Sequence, residues 1–567
     1  MSIVLGLAPG GIEPSMRTPF HDSSAALVDS GRLQALMEEE RPTRIKRALG
    51  MPPSISIALC LEHAGIELSD IDAIAVGWRL DDTERAHAQR RIRNWLETAL
   101  PGSTQATRTV PEIHFVGHHY AHACCGYFAS GFPSAAGVVI DGRSEREAIS
   151  IWACRGDEVE LVRQWPRSAS LGRFYAAATR WTGLGRSSEG KFMGLAAYGK
   201  AGEFRPAHRT REGFTYPGFT YYDAPTRDYR SAEYRPNVDQ GFILRHREHL
   251  AAQFATMFPY ERGDGSEIMA YSEFAASVQA SLEDAMGGLV DLALRETGEN
   301  RIFLAGGVAL NCSMNGRVAR EFPGIQLYVP PVPHDAGVSY GAALAQRPHE
   351  AMGGTRLDHA FFGYLPSQRE CVAAVDGSGL PYEAIGDDVR GVAEALANGA
   401  VVGWFDGRAE IGQRALGSRS ILADPRRRSM TTRVNRIKGR ELWRPLAPSV
   451  LARSLNEYFE VPSSATHLTK FMLGAVNVKR DKQRHIAACT HIDGTARPQA
   501  VTREIQPRYW ALLSEFESLT GVPVLLNTSF NLAGEPIVHS AMDAVSVFER
   551  SDLDALVIGD FLLRKKP

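Results

Sequence analysis

Apolar and polar positions alternate in short blocks along the first third of the chain. Residues 3–7 form one apolar run, and residues 24–28 and 33–37 flank an Asp29-Ser30-Gly31 turn, which predicts a strand followed by a β-hairpin. The same order returns at residues 136–140, closed by Asp141-Gly142 and followed by residues 148–153. Helical spacing at residues 54–64 lies between the two copies, so the pattern predicts a duplicated α/β unit.

Residues 301–305 read as another buried strand, running into Gly306-Gly307 and a helical pattern over 308–319. A strand, a glycine pair and a helix suit a phosphate, because glycine admits the ligand to the backbone and a helix N-terminus attracts anions. Residues 210–247 hold Phe214, Tyr216, Phe219, Tyr221, Tyr222, Tyr229 and Tyr234 without periodicity and read as an insertion or lid, or a surface subdomain. The pattern degrades between 346 and 380, around Gly353-Gly354, where a domain boundary is expected. Beyond it come a helix (389–397), a strand (400–405), a basic segment, and a helix at 510–520 leading into a strand at 522–526, again mixed α/β.

The length of 567 residues calls for two or more domains. With 44% hydrophobic and 23% charged residues and a net charge of -2, the chain reads as globular and cytoplasmic, without a general nucleic-acid or membrane role. Seven cysteines without Cys-x-x-Cys spacing argue against a disulfide framework or a thiolate zinc site. The N-terminus shows no basic leader, and no run is long enough to span a bilayer.

Against that balance, residues 408–448 concentrate cations. Arg414, Arg419, Lys438 and Arg444 combine planar forks, which match phosphate oxygens bidentately, with a mobile point charge. Gly412, Gly417 and Gly439, apolar Leu416, Ile421 and Leu422, and the turn WRPLAP separate this segment from a purely solvated face.

His118, His119 and His122 lie in a helical stretch, with His118 and His122 one turn apart and able to chelate one ion. The zinc-protease signature needs Glu at position 119, where this chain has His, so proteolysis is excluded while metal binding is not. Asp141 ends an apolar strand and Asp335 precedes a helix in PVPHDAG, both placed as ligands. A His/His/Asp/Asp set suits a divalent cation and leaves iron, zinc and manganese open. GRSSEGK, ending at Lys191, misses a P-loop because Phe192 stands where Ser or Thr should be and helix precedes it; Lys191 remains a candidate phosphate contact. His21, followed by Asp22, is a candidate general base.

Together the ordered motifs FHDSSAAL, EEERPTR, HHYAHA, VVIDG, GKFMGLAAYG, GGVALNCSMNG, HDAG, GRAEIGQRALGSRSILADPR, WRPLAP and LNTSFNLAGEPIV resemble the NodU/CmcH-type O-carbamoyltransferases over nearly the full chain. The resemblance implies an actin/sugar-kinase-like first domain (1–355, with an aromatic insertion at about 200–265) and a YrdC-like α/β second domain (356–567). It implies two steps: carbamoyl-adenylate is made from carbamoyl phosphate and ATP with Mg2+ in the second domain, and the carbamoyl group is then passed to a hydroxyl of a small natural product in the first.

Carried onto this chain, the resemblance implies that Arg414, Lys438, Arg444, Arg497, Asn527 and Ser529 contact carbamoyl phosphate and ATP. His118, His122, Asp141 and Asp335 would hold a divalent metal, with Fe2+ expected and Zn2+ or Mn2+ as alternatives. Gly306, Gly307 and Asn311, with Lys191 nearby, would cradle the nucleotide, and His21 would deprotonate the acceptor. The implied partners are a small-molecule acceptor and a second copy in a homodimer, not nucleic acid or membrane. Two rivals share parts of this pattern: a tRNA threonylcarbamoyl-modifying fusion, which the charge balance disfavours, and a non-catalytic nucleotide-regulated actin-like protein, which leaves the basic segment unexplained.

Overall fold

The computed structural model describes residues 2–9, 21–101, 111–142, 144–215, 258, 260–346 and 356–565. Tyr216, Phe219, Tyr221, Tyr222, Tyr229, Tyr234 and the Gly353-Gly354 pair lie outside the described residues.

Two five-stranded mixed sheets carry the first half. In one, Ile3–Ala8 pairs antiparallel with Ser24–Asp29 and that strand with Arg32–Glu38, while Ala73–Val76 and Glu112–Phe115 add in parallel on the other side. Ser134–Ile140, Glu147–Arg155, Glu158–Pro166, Arg301–Ala305 and Gln326–Tyr328 repeat the order and sense strand for strand. The duplication expected from the apolar blocks is therefore present. The inner strands are buried along almost their whole length, as expected of strands covered on both faces by helices.

Helix His118–Ser130 packs against helix Ala336–Leu344, which lies on the strand Ile3–Ala8. Ser24 Oγ donates to Ala336 O at 2.7 Å and reaches Ser339 Oγ at 2.8 Å, pinning the start of the second helix to the first sheet. This brings the ends of strands from both sheets, and the first turns of both helices, into one place.

One expected element divides in two. Residues 308–319 are not a single helix: a 3-10 turn, Gly307–Leu310, precedes the α-helix Cys312–Glu321. The break falls at Asn311, whose side-chain oxygen accepts from Met314 N at 3.0 Å and caps the second helix.

The second half is built on an eight-stranded sheet of spatial order 382–384, 561–564, 555–558, 402–405, 419–423, 524–529, 447–451 and 499–501. Helices Arg390–Ala397 and Pro507–Thr520 cover one face and Gln368–Ser378 and Ala541–Glu549 the other. Its core is not sealed off from the first half. Ile411, Leu416, Leu468, Phe471, Met472 and Leu473 belong to the same continuous apolar cluster as the second mixed sheet. Polar bonds run alongside, with Asn315 Nδ2 donating to Leu473 O at 2.8 Å and Ser464 Oγ to Ala319 O at 2.7 Å. All seven cysteines are buried and unbridged, and among the described residues no helix is long and apolar enough to cross a membrane.

Candidate metal centre and anion pocket

Four of the expected residues meet where the two sheets abut. One ligand atom from each of His118, His122, Asp141 and Asp335 lies within 4.8 Å of the others. Both histidines come from the first turns of one helix, Asp141 follows the strand Ser134–Ile140, and Asp335 sits at the N-cap of Ala336–Leu344. His118 Nε2 stands 3.3 Å from Asp141 Oδ2 and 3.8 Å from Asp335 Oδ1, and His122 Nε2 is 3.9 Å from Asp335 Oδ1.

The donors fit a divalent cation. His122 Nε2 is buried without a hydrogen-bond partner, which costs free energy unless something accepts its lone pair. His118 Nδ1 lies 3.4 Å from Gly77 O, the arrangement that fixes the tautomer and turns Nε2 toward an ion. Without an ion, burial opposes a charge on His118 but the Asp141 hydrogen bond and the Asp335 charge overcome it, raising the imidazole to about 9. Burial, then the charge of His118, pushes His122 well below its ordinary value. A His/Asp set of this kind accepts iron, zinc or manganese alike.

His119 points elsewhere, to Ser150 Oγ at 2.7 Å, and burial lowers it to about 3, so it serves as a neutral structural residue. Glu145 gave no signal in the sequence. Its carboxylate accepts from His118 N at 3.0 Å and Arg79 N at 2.5 Å, capping the histidine helix, whose own N-cap is Gly117.

His21 borders the quartet. Its Nδ1 lies 2.8 Å from Asp22 Oδ2, 2.8 Å from Arg47 Nη2 and 3.5 Å from Asp335 Oδ2, while the side chain remains 39% exposed. Desolvation opposes a charge on His21, but the Asp22 hydrogen bond and then Asp335 outweigh it and raise the imidazole above 6.5.

The glycine pair approaches the same place. Gly306 holds φ at 90°, and a Cβ there would fall 2.2 Å from Ile140 O, so only glycine fits. Gly307 N donates to Asp141 Oδ1 at 3.1 Å, tying this turn to a quartet member. Asn311 is committed to capping Cys312–Glu321 and to Gln279, with which it exchanges bonds of 2.9 and 3.1 Å.

A second cluster gathers cations from both halves. Burial and then Arg497 lower Arg414 to about 9. Burial and Arg444 lower Arg440 to about 9 as well; burial, then Arg440 and Arg444, depresses Lys438, and burial, with Arg444 adding to it, depresses Lys46. Lys191 bonds Glu441 at 2.6 Å, and Glu441 lies 3.7 Å from Arg444. Lys438 donates to the Ser529 and Asn531 carbonyls, the latter at 2.8 Å. Asn527 Nδ2 donates to Ser449 Oγ at 2.9 Å and Ala415 O at 3.2 Å, leaving its buried Oδ1 unpaired. Mutually repelling cations crowded into one partly buried place are relieved by an anion. Lys46, Arg440 and Glu441 belong to this cluster although their spacing did not single them out; the run RIKR at 44–47 was the available sign for Lys46.

Arg419 corrects the reading of the basic segment. It is fully buried, its guanidinium lies 3.8 Å from the Phe405 ring centre, and its donors go to the carbonyls of Asp406, Gly407, Ser418 and Tyr364. It supports the loop and meets no ligand.

Comparison with known proteins identifies the family. The family described as Carbamoyltransferase N-terminus matches residues 15–100 and 89–344, and Carbamoyltransferase C-terminus matches 393–565. Nodulation protein NolNO of Sinorhizobium fredii strain NGR234 is 36% identical, covering 100% of this chain and 83% of that protein. The 3'-hydroxymethylcephem-O-carbamoyltransferase of Streptomyces clavuligerus is 27% identical over 96% of this chain and 98% of its own length. Among solved structures, component A of the (R)-2-hydroxyglutaryl-CoA dehydratase of Acidaminococcus fermentans covers 61% of this chain and 97% of its own at 14% identity, with a TM-score of 0.33, too slight a likeness to argue from. On the two family matches and the full-length relative, this chain belongs to the carbamoyltransferase family and is a transferase of carbamoyl groups.

Proposed function

We propose that the protein is an ATP-dependent O-carbamoyltransferase that makes carbamoyl-adenylate in a YrdC-like second domain (356–567) and uses it in an actin/sugar-kinase-like first domain (1–355). The observation that carries this reading is the convergence of buried Lys438 with part-buried Arg414, Arg444 and Arg497, whose mutual repulsion two phosphorylated substrates would relieve. Atom balance sets the first step: carbamoyl phosphate, ATP and water give carbamoyl-adenylate, pyrophosphate and phosphate. Arg414, Arg444 and Arg497 offset the charge that gathers as these anions meet, while Lys438, Asn527 and Ser529 line the same cluster.

In the second step the acceptor hydroxyl attacks the carbamoyl carbon and AMP leaves. His21, with Nδ1 toward Asp22, presents Nε2 to take the hydroxyl proton. Gly306 and Gly307 let the adenylate approach the backbone, and Lys191 lies on the side facing the second domain. A divalent metal held by His118, His122, Asp141 and Asp335, Fe2+ by preference, would supply Lewis acidity toward the adenylate phosphate. The acceptor is a hydroxyl of a small secondary metabolite, such as an antibiotic sugar or polyketide, in keeping with the cephem and nodulation names of the relatives.

Mass-spectrometric detection of phosphate, pyrophosphate and carbamoyl-adenylate from ATP, carbamoyl phosphate and a divalent metal tests the first step. Wild type forms all three, and Arg444→Ala lowers the rate on the order of 10²-fold or more; a silent wild type refutes the reading. The second step carries its own pH signature. Neutral His21 is the reactive form, so transfer rises with pH through a midpoint above 6.5 and then levels. His21→Gln lowers transfer roughly 10²- to 10⁴-fold and flattens that profile, as a pH series of carbamoylated product would record.

A further inference from the structure

Arg414 of the anion cluster touches the first half of the chain directly, its Nη2 donating to Leu310 O at 3.1 Å in the turn after Gly306. The loop that carries it is tied internally by Glu410, whose Oε1 accepts from Leu416 N at 2.6 Å, Arg419 N at 3.3 Å and Ser418 N at 3.4 Å. That loop is also gripped from outside. Arg41, 5% exposed, donates from Nη1 to Glu410 O and from Nη2 to Gly412 O, each at 2.6 Å. Glu38, equally buried, pairs with Arg41 Nη2 at 3.0 Å and accepts from Gly412 N at 3.1 Å. Gly412 sits at φ 88°, where an added Cβ would fall 2.3 Å from Pro331 O. Both the N–H and the C=O of Gly412, two residues before Arg414, are thus held by first-half side chains.

We propose that Glu38 and Arg41 are positioning residues that aim Arg414, so that the anion pocket of the second half is completed only by the first. The pair reaches the other cluster too: Glu38 Oε1 lies 3.5 Å from His334 Nε2, and His334 is followed by Asp335 of the metal quartet. Displacing a catalytic or binding cation by as little as 1 Å costs up to roughly a hundredfold in function. A planar fork bonded to two carbonyls and a carboxylate fixes the loop's position where a single ammonium cannot.

The inference rests on Arg414 as an anion-binding residue, and Arg41→Lys in the full chain tests it. Equilibrium binding of carbamoyl phosphate and of inorganic phosphate is compared among wild type, Arg41→Lys, Glu38→Gln and Arg414→Ala, with pyrophosphate formation and melting temperature measured alongside. Arg41→Lys and Glu38→Gln are expected to weaken carbamoyl-phosphate binding about tenfold, in the direction of Arg414→Ala. KM rises while kcat stays within about twofold, and amide exchange quickens over residues 410–418 but not in the eight-stranded sheet. Wild-type affinity in both variants overturns the proposal, as does a weakening matched by general loss of protection. If wild type binds the phosphates but forms no pyrophosphate, the adenylate reading fails and the positioning role stands; if Arg414→Ala binds as wild type does, the positioning role fails.

Discussion

His122→Ala is expected to strip the metal while leaving the first half-reaction running. Four ligand atoms gathered within 4.8 Å cannot spare one whose only use, within the described residues, is to face an ion. Metal content measured after desalting falls from about one per chain to a small fraction, and carbamoyl transfer drops on the order of 10³-fold. Carbamoyl-adenylate and pyrophosphate still form, because the cations that oppose substrate charge lie in the other cluster. Equal loss of both half-reactions would mean that one site performs the whole reaction.

Arg419→Met gives the opposite kind of result to Arg444→Ala, although the two arginines share one basic segment. Arg419 is enclosed, and its removal takes a donor from the carbonyls of Asp406, Gly407, Ser418 and Tyr364, of which Ser418 O and Tyr364 O keep the N–H groups of Asp406 and Ala409, and leaves Phe405 without its cation. Losing a buried hydrogen-bonded charge costs about 3–5 kcal/mol. For a unit of this size, that lowers the melting temperature by roughly 10 °C. Calorimetry should record that drop, with phosphate affinity per folded molecule little changed. A stable Arg419→Met protein with weak phosphate binding would return Arg419 to the anion pocket.

This contrast marks what could be read from the amino-acid order. The repeated strand, hairpin and turn were legible because strands covered on both faces are continuous apolar runs, and both copies show them at 24–29 with 32–38 and at 134–140 with 147–155. The metal quartet was legible in part because His118 and His122 share one helix face and Asp141 ends a strand; Asp335 needed the fold to bring it near. What stayed hidden depends on contacts across hundreds of positions. Arg419 and Arg444 look alike in sequence, yet one is enclosed by a loop and the other remains partly open beside Glu441. Asn311 resembles a ligand and acts as a helix cap, and Glu145 caps the histidine helix from a separate hairpin.

The unbroken apolar cluster between the halves has a kinetic consequence. A clamshell opening would uncover Ile411, Leu416, Leu468 and Phe471 to water, at about 25 cal/mol for each Å² of apolar surface exposed. Under the chemistry proposed here, the lobes stay shut and the labile intermediate itself does the travelling. Its survival against hydrolysis is then a race between transit and solvent entry, with no hinge motion to time it.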